Sequence, residues 1–368
     1  MKIITVLGAR PQFIKAALLS RELRGKNEEI IVHTGQHYDK EMSDVFFNEM
    51  NIPLPDYNLG IGSNTHAVQT ANMMMGLEKI FISEAPDLIL VYGDTNSTLS
   101  AALTASKLDI PIAHVEAGPR MFDKTVPEEI NRIITDHVST LLFAPTKNSV
   151  NNLHKEGLMD GVHLTGDVML DNFKFFSKKA GKKSNILQRI KINDENYTLV
   201  TVHRKRNTDV KKNLEIIMNS ILKLSNEQSI VFPLHPRTEK FLRIINLFNK
   251  IKYAPNINII KPVGYFDMLV LIKNAARIVT DSGGLQKEAY FAKIPCITLD
   301  SSTGWPETVH EGWNIIFDDQ KRGFGSERDI INKITSLRPS KMHRNVFGDG
   351  NASKNICKIL DQYSLSLK

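Results

Sequence analysis

Val91-Tyr92-Gly93-Asp94-Thr95, followed by Val115-Glu116-Ala117-Gly118 and then Pro127-Glu128-Glu129-Ile130-Asn131-Arg132, decides the fold. These stretches deliver three carboxylates at the C-terminal ends of apolar runs, or just beyond them. An open α/β sheet delivers its reacting groups in this way, at or just beyond the carboxyl ends of buried parallel strands. Farther on, Asp281-Ser282-Gly283-Gly284 opens a helix after another apolar run. Free backbone N–H groups and the helix dipole make that a good anchor for a diphosphate. Carboxylates facing a phosphate grip suggest proton transfer on a nucleotide-linked substrate.

Apolar runs alternate with helical patterns on both sides of these stretches, which predicts parallel sheets covered by helices. Strands are predicted at 2–8, 29–34, 87–93, 111–116, 141–145 and 162–166, with helices at 11–24, 66–83, 97–107, 127–139 and 147–156. The polar, Lys-rich stretch near 173–195 breaks the rhythm. The cluster Lys174, Lys178, Lys179, Lys182 and Lys183 within it reads as a solvated linker. A second series follows, with strands at 197–203, 229–234, 257–261, 277–281, 295–299 and 314–317. Its helices are predicted at 211–225, 238–249, 266–275, 284–292 and 326–336, and a terminal helix at 352–367. The expected class is α/β, with two Rossmann-like domains, 1–172 and 173–351, and a cleft between them.

The 368 residues are comfortable for two domains. The 42% hydrophobic content is ordinary for a globular chain, and no run approaches the ~20 apolar residues needed to span a bilayer. Met1 leads straight into the first strand without the features of a signal peptide. Cys296 and Cys357 form no CxxC pair, so neither a disulfide framework nor a zinc knuckle is indicated. A cytoplasmic location is expected. The net charge of +7 comes without aromatic interleaving or a recognition motif, which argues against nucleic acid as a partner.

Gly8-Ala9-Arg10-Pro11 ends the first strand and starts a helix, with Gly8 permitting close backbone approach and Pro11 suited to the first turn. Arg10 at the crevice and Lys15 about a turn further on could meet a phosphate or sugar. Asp94 precedes a polar helix start and could be no more than a cap. Glu116 is harder to dismiss, because a carboxylate at the mouth of a buried strand is costly unless paired or used; Arg120 is the obvious partner. Glu128 and Glu129 stand where the helix macrodipole favours acids. The helix face predicts Ile130, Ile133, Ile134 and Val138 as the buried stripe, with Glu128, Asn131 and Arg132 off it. Spacing alone assigns no chemistry to Glu128. His203-Arg204 and His235-Pro236-Arg237 close successive strands, and the cations beside each histidine point to an anion. Ser282, Gly283 and Gly284 offer backbone donors to phosphate, and Glu288, one turn on, could hold ribose hydroxyls.

Several motifs are absent from the sequence. Gly60-Ile61-Gly62 lacks the third glycine of a dinucleotide fingerprint, and no GxxxxGK[ST] loop occurs. His33 and His37 have HxxxH spacing, but Thr34 stands where a zincin needs Glu. No GxSxG elbow is present.

Taken together, Gly8-Ala9-Arg10-Pro11 through Lys15, Gly35-Gln36-His37, Gly93-Asp94-Thr95, His114-Val115-Glu116-Ala117-Gly118, Pro127-Glu128-Glu129, His203-Arg204, Asp281-Ser282-Gly283-Gly284 through Glu288, and Pro306-Glu307 resemble the non-hydrolysing UDP-N-acetylglucosamine 2-epimerases. The match runs over nearly the whole chain. The resemblance implies a glycosyltransferase-B-like fold with the active site between the domains, a homodimer formed through the N-terminal domain, and a C-terminal helix, 352–368, crossing back to that domain. It implies inversion at C2 of a UDP-linked 2-acetamido sugar through a glycal, for surface polysaccharide precursors, with no cofactor, no metal and no membrane partner. It makes Asp94, Glu116, Glu128 and His203 the catalytic group, and places Arg10, Lys15, His203, Ser282, Gly283, Gly284 and Glu288 against UDP or the sugar.

Some positions depart from the family pattern. Pro119 stands where Leu is usual, Lys205-Arg206 replaces a pair ending in Glu, Trp305 replaces Arg, and Met268 stands where an aromatic ring often packs near uracil. Pro262-Val263-Gly264-Tyr265, Leu234-His235-Pro236-Arg237-Thr238 and Gly312-Trp313-Asn314 look more like the branch acting on UDP-2,3-diacetamido-2,3-dideoxy-glucuronate. Some bacterial members bind a second, activating UDP-sugar, and Tyr38 and Lys205-Arg206 fall near those contacts. A glycosyltransferase of the same fold is the rival class; it should not need three carboxylates in its first domain.

Overall fold

The computed structural model describes residues 1–36, 49–192, 196–317, 325–339 and 342–366. His37 and Tyr38 lie outside the described residues. The chain divides into two units, Met1–Phe175 with Asn345–Lys368, and Phe176–Arg344. The sequence had suggested breaks after 172 and 351.

The first unit is built on β1 (Lys2–Leu7), β2 (Glu28–His33), β3 (Tyr57–Asn58), β4 (Leu88–Tyr92), β5 (Ile112–Val115), β6 (Leu141–Ala144) and β7 (Val162–Leu164). These run parallel in the order β3-β2-β1-β4-β5-β6-β7. The second unit uses β8 (Tyr197–Thr201), β9 (Ile230–Pro233), β10 (Ile257–Ile260), β11 (Ala275–Thr280), β12 (Cys296–Thr298) and β13 (Asn314–Ile316), parallel in the order β10-β9-β8-β11-β12-β13. Helices cover both faces of a parallel sheet, so its strands are apolar without alternation. Leu88, Ile89, Leu90, Val91 and Tyr92 are all fully buried, as that arrangement requires. The strand order reverses between β1 and β4 in one unit and between β8 and β11 in the other. Such switch points leave a crevice beyond the strand ends, where ligands bind.

Three expectations need correction. The Lys-rich stretch is helical: one helix runs Val168–Lys183, with Phe173, Phe176 and Ala180 buried and Lys174, Lys178, Lys182 and Lys183 exposed. Lysine costs little in a helix, and the apolar residues sit on one face. The helix predicted at 238–249 is two, Pro236–Ile244 and Phe248–Lys252, interrupted where Asn246 turns left-handed at φ 59°. Asn is among the residues that tolerate this conformation.

The helix Pro127–Val138 reverses its expected face. Glu129, Asn131, Arg132, Thr135 and Asp136 are buried, whereas Ile130 is 43% exposed and Ile133 and Ile134 are half-buried. Glu129, Asn131, Arg132 and Asp136 find partners below the helix, which removes the penalty that periodicity alone would assign to burying them.

The C-terminal helix Ala352–Ser366 packs on Arg10–Leu23 within the first unit. The Asp171 carboxylate accepts the amides of Ala352 at 3.1 Å and Ser353 at 2.7 Å, two donors at the helix start that have no partner inside the helix. Lys26 adds a pair to Asp361 at 2.7 Å on the surface. Asp171→Ala should therefore loosen this helix. Amide exchange at Ile356 and Leu360 should speed up by an amount equivalent to about 1–3 kcal/mol, while Lys26→Ala leaves it nearly unchanged. Equal protection in Asp171→Ala and the parent would remove this role for the carboxylate.

Candidate active site

At the first switch point, β1 ends at Gly8, and a Cβ there would lie 2.1 Å from both Ser97 Oγ and Thr34 Oγ1. Only glycine lets the chain pass. Gln12 then reaches back, its Oε1 accepting the Gly8 and Ala9 amides at 2.9 and 3.0 Å. Its Nε2 donates to the Tyr92 carbonyl and to Thr98 Oγ1, both at 3.0 Å, tying this turn to the end of β4. Arg10 begins the helix and is half-buried.

Lys15, a turn along that helix, lies with Nζ 2.7 Å from Glu116 Oε1, and both side chains are buried. This corrects the expected partner. Arg120 instead binds Asp136 at 2.7 Å and grips Glu156 through Nε and Nη2, each at 2.7 Å. A buried carboxylate needs a cation, and Lys15 reaches Glu116 through space that Gly93 leaves open. A Cβ at Gly93 would stand 2.7 Å from Lys15 Nζ. Glu116 itself has φ 73°, a left-handed conformation that costs a residue with a side chain about 1–3 kcal/mol.

Asp94 is not the helix cap. Thr95 fills that position, its side chain accepting the Thr98 amide. The Asp94 carboxylate is thereby available to Arg132, which pairs with it and also with Glu129 at 2.9 Å. Burial pulls the Arg132 guanidinium down, but Asp94, Glu129 and Glu116 together hold it above its ordinary range. Asn131 adds a hydrogen bond to the Asp94 carbonyl at 2.9 Å. The two adjacent glutamates have separate roles. Glu129 is buried and accepts the amides of Met121 and Phe122 at 2.8–3.0 Å, whereas Glu128 is exposed at the helix start.

In the second unit, Asp281 is the organising group. It is fully buried and accepts the amides of His203 (2.9 Å to Oδ2) and Arg204 (2.8 Å), along with Asn207 Nδ2 (3.0 Å). Its Oδ1 also lies 3.2 Å from His203 Nδ1. The His203 ring is tilted against that of His235, with centroids 5.5 Å apart. Ser282 caps the helix Gly283–Ala292, whose first amides project at the switch point. Arg204 Nη2 and Trp305 Nε1 lie 3.8 and 3.7 Å from where a Gly283 Cβ would be. Arg204 and Arg206 each reach Asp300 at 2.6 Å. Glu288 is buried one turn into the helix. Burial, and then the Glu288 carboxylate beside it, push the Tyr265 phenol well above its usual range. Arg237 is drawn elsewhere, its guanidinium paired with Asp209 and its Nε 3.1 Å from Thr208 Oγ1.

The first unit thus brings Arg10, Lys15, Asp94 and Glu116 to one switch point. The second brings His203, Arg204, Ser282, Gly283, Gly284 and Glu288 to the other. Gln12, Arg132, Asp281 and Asp300 were missed as site residues, although Asp281 stood in the quoted motif. A glutamine three residues beyond the helix start is a capping signal that could have found Gln12. Among the described residues, no three or more His, Cys, Asp or Glu side chains are arranged to hold a metal ion, and no helix is long and apolar enough to cross a membrane.

The family model described as UDP-N-acetylglucosamine 2-epimerase matches residues 21–361. A UDP-N-acetylglucosamine 2-epimerase homolog of Methanococcus maripaludis is 51% identical over 98% of this chain and 99% of its own. The UDP-2,3-diacetamido-2,3-dideoxy-D-glucuronate 2-epimerase of Pseudomonas aeruginosa is 41% identical over 98% of this chain and 99% of its own. The crystal structure of the Methanocaldococcus jannaschii UDP-GlcNAc 2-epimerase in complex with UDP-GlcNAc and UDP superposes with a TM-score of 0.91 at 42% identity, covering 98% of this chain and all of that one. On sequence and fold alike, the chain belongs to the UDP-N-acetylglucosamine 2-epimerase family.

Proposed function

We propose that this enzyme inverts C2 of a UDP-linked 2-acetamido sugar, of the UDP-GlcNAc to UDP-ManNAc type, without hydrolysis, supplying a surface polysaccharide precursor in the cytoplasm. The observation that carries the reading is the buried Glu116 carboxylate, held against Lys15 at a switch point with Asp94 close by on Arg132. The C2 hydrogen has no neighbouring carbonyl, so direct deprotonation is slow. Elimination solves this. A base takes the C2 proton as the C1–O bond to UDP breaks, leaving a 2-acetamidoglycal and UDP. UDP then re-forms the bond to C1 while an acid protonates C2 from the other face.

Asp94, Glu116, Glu128 and His203 form the group that moves these protons. Arg10 and Lys15 supply cations from the first unit. The second unit supplies the diphosphate grip, with the amides of Ser282, Gly283 and Gly284 at a helix start and the His203 and Arg204 side chains beside them. Glu288 suits ribose hydroxyls. The diacetamido-glucuronate reaction is the second reading. It is favoured by the extra cations Lys205 and Arg206 that follow His203-Arg204 in the sequence and would suit a uronate.

Incubation with UDP-GlcNAc in D2O, without an acceptor, should put deuterium at C2 as UDP-ManNAc appears. Free ManNAc would mean hydrolysis, and no change with either UDP-GlcNAc or the diacetamido uronate would point to a glycosyltransferase. Whichever UDP-sugar exchanges faster names the branch. Glu116→Gln should slow exchange by about 10²–10⁴-fold while UDP binding, measured by calorimetry, holds. Full turnover in that variant would remove Glu116 from the mechanism.

We further propose a homodimer through the first unit. The helix His66–Glu84 exposes Val68, Met75 and Ile82, and Pro127–Val138 exposes Ile130; both pack against Asn96–Lys107. Such a patch is apt for a second copy. Sedimentation should give a two-chain mass for the parent and a one-chain mass for the Met75→Glu, Ile130→Glu double variant. A monomeric parent would end this proposal.

A further inference from the structure

His114 and Asp136 have no part in the chemistry above, yet they form a fully buried polar contact at the first switch point. Both side chains are fully buried. His114 Nδ1 lies 2.7 Å from Asp136 Oδ1, and Nε2 lies 2.7 Å from the Gly93 carbonyl oxygen. A carbonyl and a carboxylate are both acceptors here, so the two bonds together require both ring nitrogens to donate. Asp136 Oδ2 accepts the Gly118 amide at 3.1 Å and Arg120 Nη1 at 2.7 Å.

The two ends of this chain of contacts are the informative part. Gly93 immediately precedes Asp94, and Gly118 is two residues beyond Glu116. Gly93, Glu116 and Gly118 are all left-handed, at φ 65°, 73° and 87°. Glycine adopts this conformation freely, but Glu116 carries a side chain and has to be held in it from outside. Other elements pack on the pair with further charges. Arg120 also grips Glu156, which lies 3.3 Å from His137 Nε2, and Asn152 Nδ2 donates to the Gly118 carbonyl at 3.0 Å. Burial would push the Asp136 carboxyl up, but His114 and Arg120 together hold it below its usual range.

We propose that His114 and Asp136 act as one positioning device that sets the Asp94 and Glu116 carboxylates in register for proton transfer at C2. One end of the pair fixes the peptide before Asp94. The other end fixes the turn that carries Glu116. Neither residue touches substrate. The proposal rests on the epimerase reading and adds to it a reason why two strands present their carboxylates in one fixed relation. A misplacement of about 1 Å in such a constellation can cost about 10²-fold in rate.

The test uses the full-length protein and the C2 exchange assay, with rates normalised to the number of UDP-binding sites. His114→Gln can serve only one of the two acceptors, and Asp136→Asn replaces the carboxylate by an amide. Each should lower kcat by about 10²-fold with KM and the Kd for UDP within about threefold, because the diphosphate grip lies in the other unit. The double variant should be no slower than the worse single one, since the residues act as a unit. Full kcat per UDP site in either variant overturns the proposal, as do losses that multiply in the double variant. A purely structural role would lower the number of UDP-binding sites and leave kcat per site intact, which also overturns it. Should the variants not fold, the wild-type protein labelled with ¹⁵N-histidine still decides. One histidine must show both ring N–H protons protected from solvent exchange, and their absence overturns the geometry. A wild-type protein that exchanges neither sugar overturns the epimerase reading. An active wild type with an equally active His114→Gln overturns the positioning role alone.

Discussion

A lysine and a glutamate buried against each other, Lys15 and Glu116, set the terms for the rest of the first unit. Taking both charges out of water is expensive, and removing one partner from such a pair costs about 3–5 kcal/mol. The pair therefore fixes its surroundings. The Arg10–Leu23 helix must sit with its second turn over the end of β5, and residue 93 must lack a side chain. The turn at residue 116 must adopt a left-handed conformation so that the carboxylate faces the switch point. Gln12 links the same helix to β4, so the three chain segments that meet there cannot drift independently. What stabilises the pair is also what gives the carboxylate a defined direction.

The second unit solves a related problem with the opposite sign. Its switch point has to present donors to an anion, and Asp281 organises them from beneath. A fully buried carboxylate that accepts two consecutive backbone amides and an asparagine side chain forces the His203–Arg204 segment into one shape. The charge that would otherwise repel a diphosphate is thereby screened by its own hydrogen bonds, and it lies against His203 Nδ1. Asp300 does the same for Arg204 and Arg206. In both units the reactive-looking groups rest on a layer of buried polar residues, and that layer carries the precision.

That layer is also where sequence reading stopped. The strand series was legible because buried parallel strands are apolar runs, and the site motifs were legible because they fall at the ends of those runs. The Pro127–Val138 helix was misread because periodicity scores isoleucines and cannot see partners. Arg132 and Asp136 go inward only because Asp94, Arg120 and His114 are waiting there, and those residues lie outside the helix in sequence; Glu129 follows to meet the amides of Met121 and Phe122. Arg120 was matched to Glu116 by proximity in sequence, whereas a side chain of that length reaches Glu156 as readily. The Lys-rich stretch was read by charge as a linker, although its phenylalanines and alanine mark a helix face.

Trp305 shows how a departure from a family pattern can be absorbed without losing the site. The resemblance gives an arginine at this position in the simplest members, and here an indole stands near the start of the Gly283–Ala292 helix. The ring is buried and lies over the equally buried Lys287, whose ammonium is 3.9 Å from its centroid. The face of an indole is the best neutral partner for a desolvated cation among the side chains. The indole contributes to stabilising Lys287, and its Nε1 remains close to Gly283 beside Arg204. The helix start thus keeps Arg204 and its own backbone amides, with the Trp305 indole nitrogen beside them.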